Sequence, residues 1–357
     1  MSGNDSIDAE LGEALFENEE QLFQKIADAI AERVQAAARP KEAPARRALR
    51  DAHPKAHGCV LAEFRVESDL PPSLAQGVFT PGKTYPAYIR FSNGDPNPAR
   101  PDAEGDARGM AIKLLDVPGQ KILEDERDAQ TQDFVMINHP VFMVDDPAHY
   151  LELAQATGSS DLFAKLRQFL ALGLRGALNA AAMTSSKIAS PLEARYWSQT
   201  AYRLGDPPHK QAIKFSARPQ GPATATIPDD PSPNFLRETL IRQLEAGEAR
   251  FDFEVQPRSS TSMSVEKATV EWKESEAKFF KVATITIPRQ TFATPERDKL
   301  GEDLSFTPWH ALPQHRPLGS INRTRRIVYQ AISKLRHELN GTVRREPSAA
   351  DWPAARG

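Results

Sequence analysis

A tyrosine between two arginines near the C-terminus is where this sequence shows the most pointed chemistry. It lies in PLGSINRTRRIVYQAISKLRHELNG, residues 317–341. Arg325, Tyr329 and Arg336 stand at i, i+4 and i+11. At about 100° per residue, that spacing sets them within roughly 40° of one another on one helix face. Asn322 suits a helix start and Gly341 a helix stop. Ile327, Val328, Ile332 and Leu335 supply apolar surroundings. A phenol has an unperturbed pKa of about 10, so Tyr329 ionises at neutral pH only beside strong positive charge. An arginine one turn away and a ferric ion would together provide that charge. Without them the segment reads as a surface helix with a tyrosine between two solvated arginines.

Three further segments carry residues of the right types for chemistry. The first is Arg50-x-x-His53-x-Lys55-x-x-Gly58. His53 there has a side chain suited to proton transfer near pH 7. The second is Tyr88-Ile-Arg-Phe-Ser-Asn93, which holds Arg90 and Ser92, with Asp106-Ala-Arg-Gly-Met110 after it. The third is Asn138-His-Pro-Val-Phe142. Taken singly, each has a plain structural reading: a solvated histidine after a basic linker, a surface-paired strand arginine, a turn-forming asparagine. A fourth pattern is a decoy. Gly77-Val-Phe-Thr-Pro-Gly-Lys-Thr84 fits the P-loop spacing, but a P-loop needs a helix to begin at its Lys-Thr. Here Pro86 and a β-like run follow, so nucleotide binding is not expected. No G-x-S-x-G, H-E-x-x-H or Cys/His zinc spacing is present.

The elements that must position these residues read as mostly β. Strand-like runs fall at 59–67, 85–92, 108–116, 132–139, 198–204, 212–218, 250–256 and 281–287. Several alternate cleanly, as in Lys281-Val-Ala-Thr-Ile-Thr-Ile287. Helical regions at 147–183 and 232–247 interrupt them, and 9–37 reads as an amphipathic helix through Leu15, Leu22, Ile26, Ile30 and Val34. Eight strands with hairpin-like or long links predict an α+β fold: an eight-stranded antiparallel barrel with surrounding helices. The expected organisation is an N-terminal helix and linker (1–44), a barrel with inserted helices (45–290) and a wrapping segment with the tyrosine helix (291–357).

Composition narrows the classes. A chain of 357 residues can bury a substantial core, and its net charge of −3 gives no bulk attraction to nucleic acid or anionic membrane. One cysteine, Cys59, excludes an intramolecular disulfide framework and fits a reducing compartment. The start, MSGNDSIDAELGE, lacks the apolar core of a secretory signal. A cytoplasmic protein is the expectation.

Taken together and in order, the four segments resemble the haem catalase superfamily. Arg50-x-x-His53 resembles the segment with the distal histidine and a propionate-binding arginine. Ile89-Arg-Phe-Ser92 resembles V-R-F-S, Asp106-Ala-Arg-Gly109 resembles D-x-R-G, and Asn138-x-Pro-Val-Phe142 resembles the distal-asparagine segment. Arg325-x-x-x-Tyr329 with Arg336 resembles the proximal R-x-F-x-Y…R. The resemblance implies haem b, with Tyr329 as the iron ligand and Arg325 bonded to the phenolate. It implies Arg50, Arg90 and Arg336 on the propionates, Phe142 in the haem pocket, and His53, Asn138 and Ser92 as the catalytic set. The implied function is decomposition of hydrogen peroxide and organic hydroperoxides through an oxoferryl haem, with a small reducing donor, as part of antioxidant defence. A homodimer, with no nucleic-acid or membrane partner, is the expected assembly.

Departures point to one branch. Ile327 stands where the proximal motif has phenylalanine, and Ala331 where aspartate is common; His57 and Cys59 replace small residues. The long N-terminal thread and flavodoxin-like domain of large catalases have no counterpart. The sequence therefore looks like the short catalase-related peroxidases. The same resemblance leaves open a fatty-acid hydroperoxide isomerase of the allene-oxide-synthase kind, and the residues alone leave open a non-catalytic barrel for haem or an apolar ligand.

Overall fold

The computed structural model describes residues 7–40, 44–157 and 162–352. The first six residues of the polar N-terminal stretch, 41–43 of the linker and 158–161 of the expected helical region lie outside the described residues. Among the described residues nine strands form in chain order: β1 (Ala56–Val66), β2 (Thr84–Asn93), β3 (Arg108–Leu115), β4 (Thr131–Ile137), β5 (Tyr196–Trp197), β6 (Tyr202–Leu204), β7 (Gln211–Pro219), β8 (Ala249–Pro257) and β9 (Phe280–Ile287). Every pairing is antiparallel. β1 pairs with both β2 and β9, and β5 bridges β4 to β7, so eight strands close into a barrel while β6 rides on β7.

Strict period-2 alternation builds the barrel from the inside. Ile89 and Phe91 of β2, Ile112 of β3 and Phe134 of β4 belong to the buried core. Their neighbours Arg90, Ser92, Ala111 and Val135 face the other way, because successive side chains of a strand point to opposite faces. Aromatic rings fill the interior: Phe253 lies 4.8 Å from Phe134 and 5.1 Å from Phe64 between centroids, and Phe134 lies 5.1 Å from Phe215. Phe79, from the P-loop-like stretch, joins them, and β2 begins at Thr84 where a nucleotide-binding loop needs a helix.

Of the strand expected at 198–204 only the last three residues form a strand, β6, and the barrel strand β5 lies just before the expected run. The chain turns between them at Gln199, whose φ of 62° is left-handed. Hydroxyls stabilise the break: Ser198 Oγ donates to Thr200 O at 2.9 Å and accepts from Phe215 N at 3.2 Å. Local side-chain bonds of this kind compete with a ladder.

Among the described residues six α-helices surround the barrel: α1 (Glu19–Ala38), α2 (Pro147–Ala156), α3 (Leu162–Ser185), α4 (Phe235–Ala246), α5 (Pro295–Asp303) and α6 (Ser320–Asn340). The expected helix at 9–37 is a 3₁₀ turn at Ala9–Leu11 followed by α1, and Leu15 between them is exposed. Buried carboxylates explain the break. Glu13 and Glu19 reach Arg323 of α6 at 2.9 and 2.8 Å, which pins the N-terminal segment to the tyrosine helix. Ile26, Ile30 and Val34 then pack α1 against Val328 and Ile332 of α6.

Asn322 does not cap α6. The helix starts at Ser320, whose N–H donates to Glu266 Oε2 at 2.7 Å, so a carboxylate from a distant loop satisfies that end. Asn322 is buried two residues further in, donating to Ala201 O at 2.9 Å and accepting from Thr200 Oγ1 at 3.0 Å. Gly341 does stop the helix, in the left-handed conformation.

Candidate active site

Outward-facing residues of β2, β3 and β4 meet α6, α1 and the chain before β1 around a cavity of about 170 Å³, open at its mouth. His53, Ser92, Arg50, Arg90, Tyr329 and Arg336 all line it. Three sequence segments up to 286 residues apart thus converge, as the difference between Arg50 and Arg336 shows.

His53 is held on both sides. Its ring Nδ1 lies 3.0 Å from Ser92 Oγ. Its backbone is left-handed, with φ of 62°, an unfavourable conformation for a residue with a side chain. Two bonds hold it there: His53 N–H donates to Gly94 O at 3.3 Å, and Arg90 donates to His53 O at 3.0 Å. Burial, then the nearby Arg90, Arg325 and Arg50, push its pKa down to about 3, so the imidazole is neutral at pH 7. Room for the ring comes from Gly109, which pairs with Ser92 across the ladder. A Cβ at Gly109 would lie 2.6 Å from His53 Nδ1 and 2.7 Å from Ser92 Oγ. This role for the glycine of Asp106-Ala-Arg-Gly109 was not read from sequence, although the motif itself was visible.

Two phenols, Tyr150 of α2 and Tyr329 of α6, line the cavity. They differ in environment. Arg325 donates to Tyr329 Oη at 3.1 Å, one helical turn back. Arg325 is itself anchored by Asn322 Oδ1 at 3.2 Å and stands one hydrogen bond behind the cavity wall. Burial works against its charge, but the phenols of Tyr329 and Tyr202 outweigh burial and keep it firmly protonated. Tyr150 is pushed upward by burial and by Tyr329, away from ionisation.

The three other arginines meet at one carboxylate. Glu302 of α5 accepts from Arg50 at 3.1 Å and from Arg90 at 2.9 Å, and its backbone oxygen accepts from Arg336 at 2.9 Å. Although burial alone would raise it, Arg50, Arg90 and Arg336 hold the Glu302 carboxyl down at about 2. Three guanidinium groups against one carboxylate leave two positive charges uncompensated. Burial, with Arg90 close by, lowers Arg336 to about 10. Arg90 Nε and Arg336 Nε and Nη1 are buried donors without a partner, and such groups are costly unless a ligand takes them. A dianion with carboxylates fits this cluster, so the cavity suits haem with its two propionates. Arg336 has the most to give, whereas both terminal amines of Arg90 are already bonded to His53 O, Pro54 O and Glu302. Neither Glu302 nor its helix was foreseen, yet Thr294-Pro295-Glu296 carries the signal: Thr294 caps α5 and Pro295 opens it.

Besides Arg325, two more of the expected site residues stand outside the cavity walls. Asn138 accepts from Arg108 N at 2.7 Å and donates to Ser186 Oγ at 3.0 Å, which ties the end of β4 to β3 and to the end of α3. Phe142 packs on Tyr150, 5.7 Å between ring centroids, and so backs the wall instead of forming it. His57 points elsewhere altogether, into a buried network where Nε2 donates to Asn93 Oδ1 at 2.8 Å.

Comparison with known proteins agrees with this geometry. A family model described as Catalase matches residues 36–162. A catalase-related peroxidase of Mycolicibacterium paratuberculosis (strain ATCC BAA-968 / K-10) is 28% identical over 264 residues, 71% of this chain and 79% of that protein. A fungal catalase structure superposes with a TM-score of 0.62 at 16% identity, over 90% of this chain and 64% of its own. A bacterial catalase does so with a TM-score of 0.63 at 16% identity, over 96% and 66%. Catalase A from Saccharomyces cerevisiae gives 0.61 at 16%, over 92% and 68%. The chain spans about two thirds of the length of those solved catalases, and at such identity the likeness shows the fold. The family model over residues 36–162 and the curated relative liken the chain to the catalases and their short, catalase-related members, and the solved structures show that it shares their barrel fold.

Proposed function

We propose that this protein is a haem-dependent, catalase-related peroxidase that reduces hydrogen peroxide and organic hydroperoxides at the expense of a small donor. The observation that carries the reading is the convergence in one cavity of a neutral histidine, an arginine-paired tyrosine and an arginine cluster two charges in excess. Tyr329 would hold the iron, and Arg325 would lower the cost of its ionised form. Arg336, with Arg50 and Arg90, would take the propionates. Haem, when bound, would supply the redox chemistry that couples peroxide reduction to oxidation of the donor.

The chain's own part is proton handling. Ser92 occupies His53 Nδ1, which leaves Nε2 as the ring atom available to the cavity. At pH 7 that nitrogen is unprotonated or readily made so, since the ring resists charge. It can accept the peroxide's proton and return it to the departing oxygen, the task of a positioned general acid–base. The apolar faces of Met110, Val135 and Val328 limit water around this exchange.

The test is peroxide consumption at matched haem content. His53→Ala is expected to lose about 10²–10⁴-fold while retaining haem. Parental rates in that variant would end the assignment of His53. With a reducing dye present, tert-butyl and cumene hydroperoxide are expected to be consumed alongside hydrogen peroxide, with modest oxygen evolution; turnover confined to hydrogen peroxide would contradict the peroxidase reading.

A further inference from the structure

Away from the cavity, α3 presents apolar side chains that nothing among the described residues covers. Leu170, Leu174 and Leu178 are 65%, 76% and 63% exposed, far more than isolated surface leucines require. The helix is kinked at Gly173, whose φ of 59° suits glycine. Its other side is firmly fixed. Ala171 and Met183 are buried, and a Cβ at Gly176 would lie 2.3 Å from Met143 O. Asn179 donates to Phe142 O at 3.2 Å and to Thr269 O at 3.1 Å. The exposed leucines are therefore not a misplaced core face; the inward face is already used.

Charge says what covers them. From Leu162 to Leu192 the sequence holds Lys165, Arg167, Arg175 and Lys187 and not one aspartate or glutamate. This is a local exception in a chain of net charge −3. Arg175, next to Leu174 in the helix, and Lys187, two residues past its end, are exposed. No helix among the described residues is long and apolar enough to cross a membrane. An amphipathic helix with leucines on one side and basic residues around them lies instead in the plane of an anionic bilayer surface.

We propose that α3 is a docking element for anionic lipid surfaces, with Leu174 and Leu178 entering the acyl boundary and Arg175 and Lys187 meeting the headgroups. The proposal is independent of the chemistry assigned to the cavity.

The native cysteine, Cys59, is buried, so an environment-sensitive fluorophore can be placed on Leu174→Cys in the full chain, with Val343→Cys as a distant exposed control. Vesicles of phosphatidylcholine with a one-quarter share of phosphatidylglycerol are expected to blue-shift the label at 174 and not at 343. Pure phosphatidylcholine is expected to do neither, added salt to reverse the shift, and Arg175→Glu with Lys187→Glu to abolish it while leaving the circular dichroism spectrum unchanged. No shift with the anionic vesicles would overturn the proposal. So would an equal shift with neutral vesicles, or a blue shift that grows with protein concentration alone and marks a second copy as the occupant.

Discussion

Gly109 and His53 show how narrow the tolerance of the site is at the scale of single residues. A methyl group at 109 would overlap both His53 Nδ1 and Ser92 Oγ. Gly109→Ala is therefore expected to displace the ring, cutting peroxide consumption by about 10²–10⁴-fold with haem retained, as measured at equal haem content. Unchanged turnover would show that the ring does not need its place beside Ser92. His57, four residues from His53, gives the contrasting case. It is buried and bonded to Asn93 but absent from the cavity walls. His57→Ala is expected to cost about 1–3 kcal/mol of stability, read by denaturant titration, and to leave turnover per folded molecule near the parental value. Asn138 falls between them. Its amide ties Arg108 N to Ser186 Oγ, so Asn138→Ala is expected to lose less activity than His53→Ala.

At the scale of elements, α6 and α5 together make the anionic half of the site's specificity. Arg325, Tyr329 and Arg336 were legible as one helix face because helical periodicity is local. The contact between Arg325 and Tyr329 follows directly from the i, i+4 spacing. What the sequence hid were long-range partners. Glu266 caps α6 from 54 residues away, and Glu302 gathers arginines from three segments; no periodic pattern encodes either. The shortening of the expected strand at 198–204 has the same origin, since a left-handed Gln199 and two hydroxyls override β propensity. The eight-strand barrel itself was readable, because alternation reports which face is buried even when pairing partners are unknown. Glu302→Gln tests the charge reading of α5. Without the carboxylate the three guanidinium groups repel one another, so the melting temperature of the haem-free protein is expected to drop more than that of the haem-loaded protein, in which propionates would replace the lost charge. Equal drops in both would mean that Glu302 serves only the fold.

Across the whole molecule, buried histidines set the acid limit. Burial first of all lowers His53 to about 3, His57 to about 4 and His315 to about 3, against an unfolded value of about 6.5. Between those values the unfolded chain binds protons that the folded protein refuses, so stability falls as pH drops below about 6.5 and is unaffected by these groups above it. Denaturation midpoints are expected to decline from pH 6.5 toward 4, with a proton uptake on unfolding approaching that of the three histidines; a flat profile over that range would show that they charge freely in the fold. The central claim, however, concerns the cavity that the barrel, α1 and α6 enclose. Its most direct test is the visible spectrum during titration of the protein with ferric haem, for the parent and for Tyr329→Phe. A saturating, high-spin ferric Soret band is expected for the parent, and a shifted band or lowered occupancy for the variant, because the phenolate ligand is gone. A parent that takes up no haem, or a variant whose spectrum and occupancy match the parent, would contradict the account.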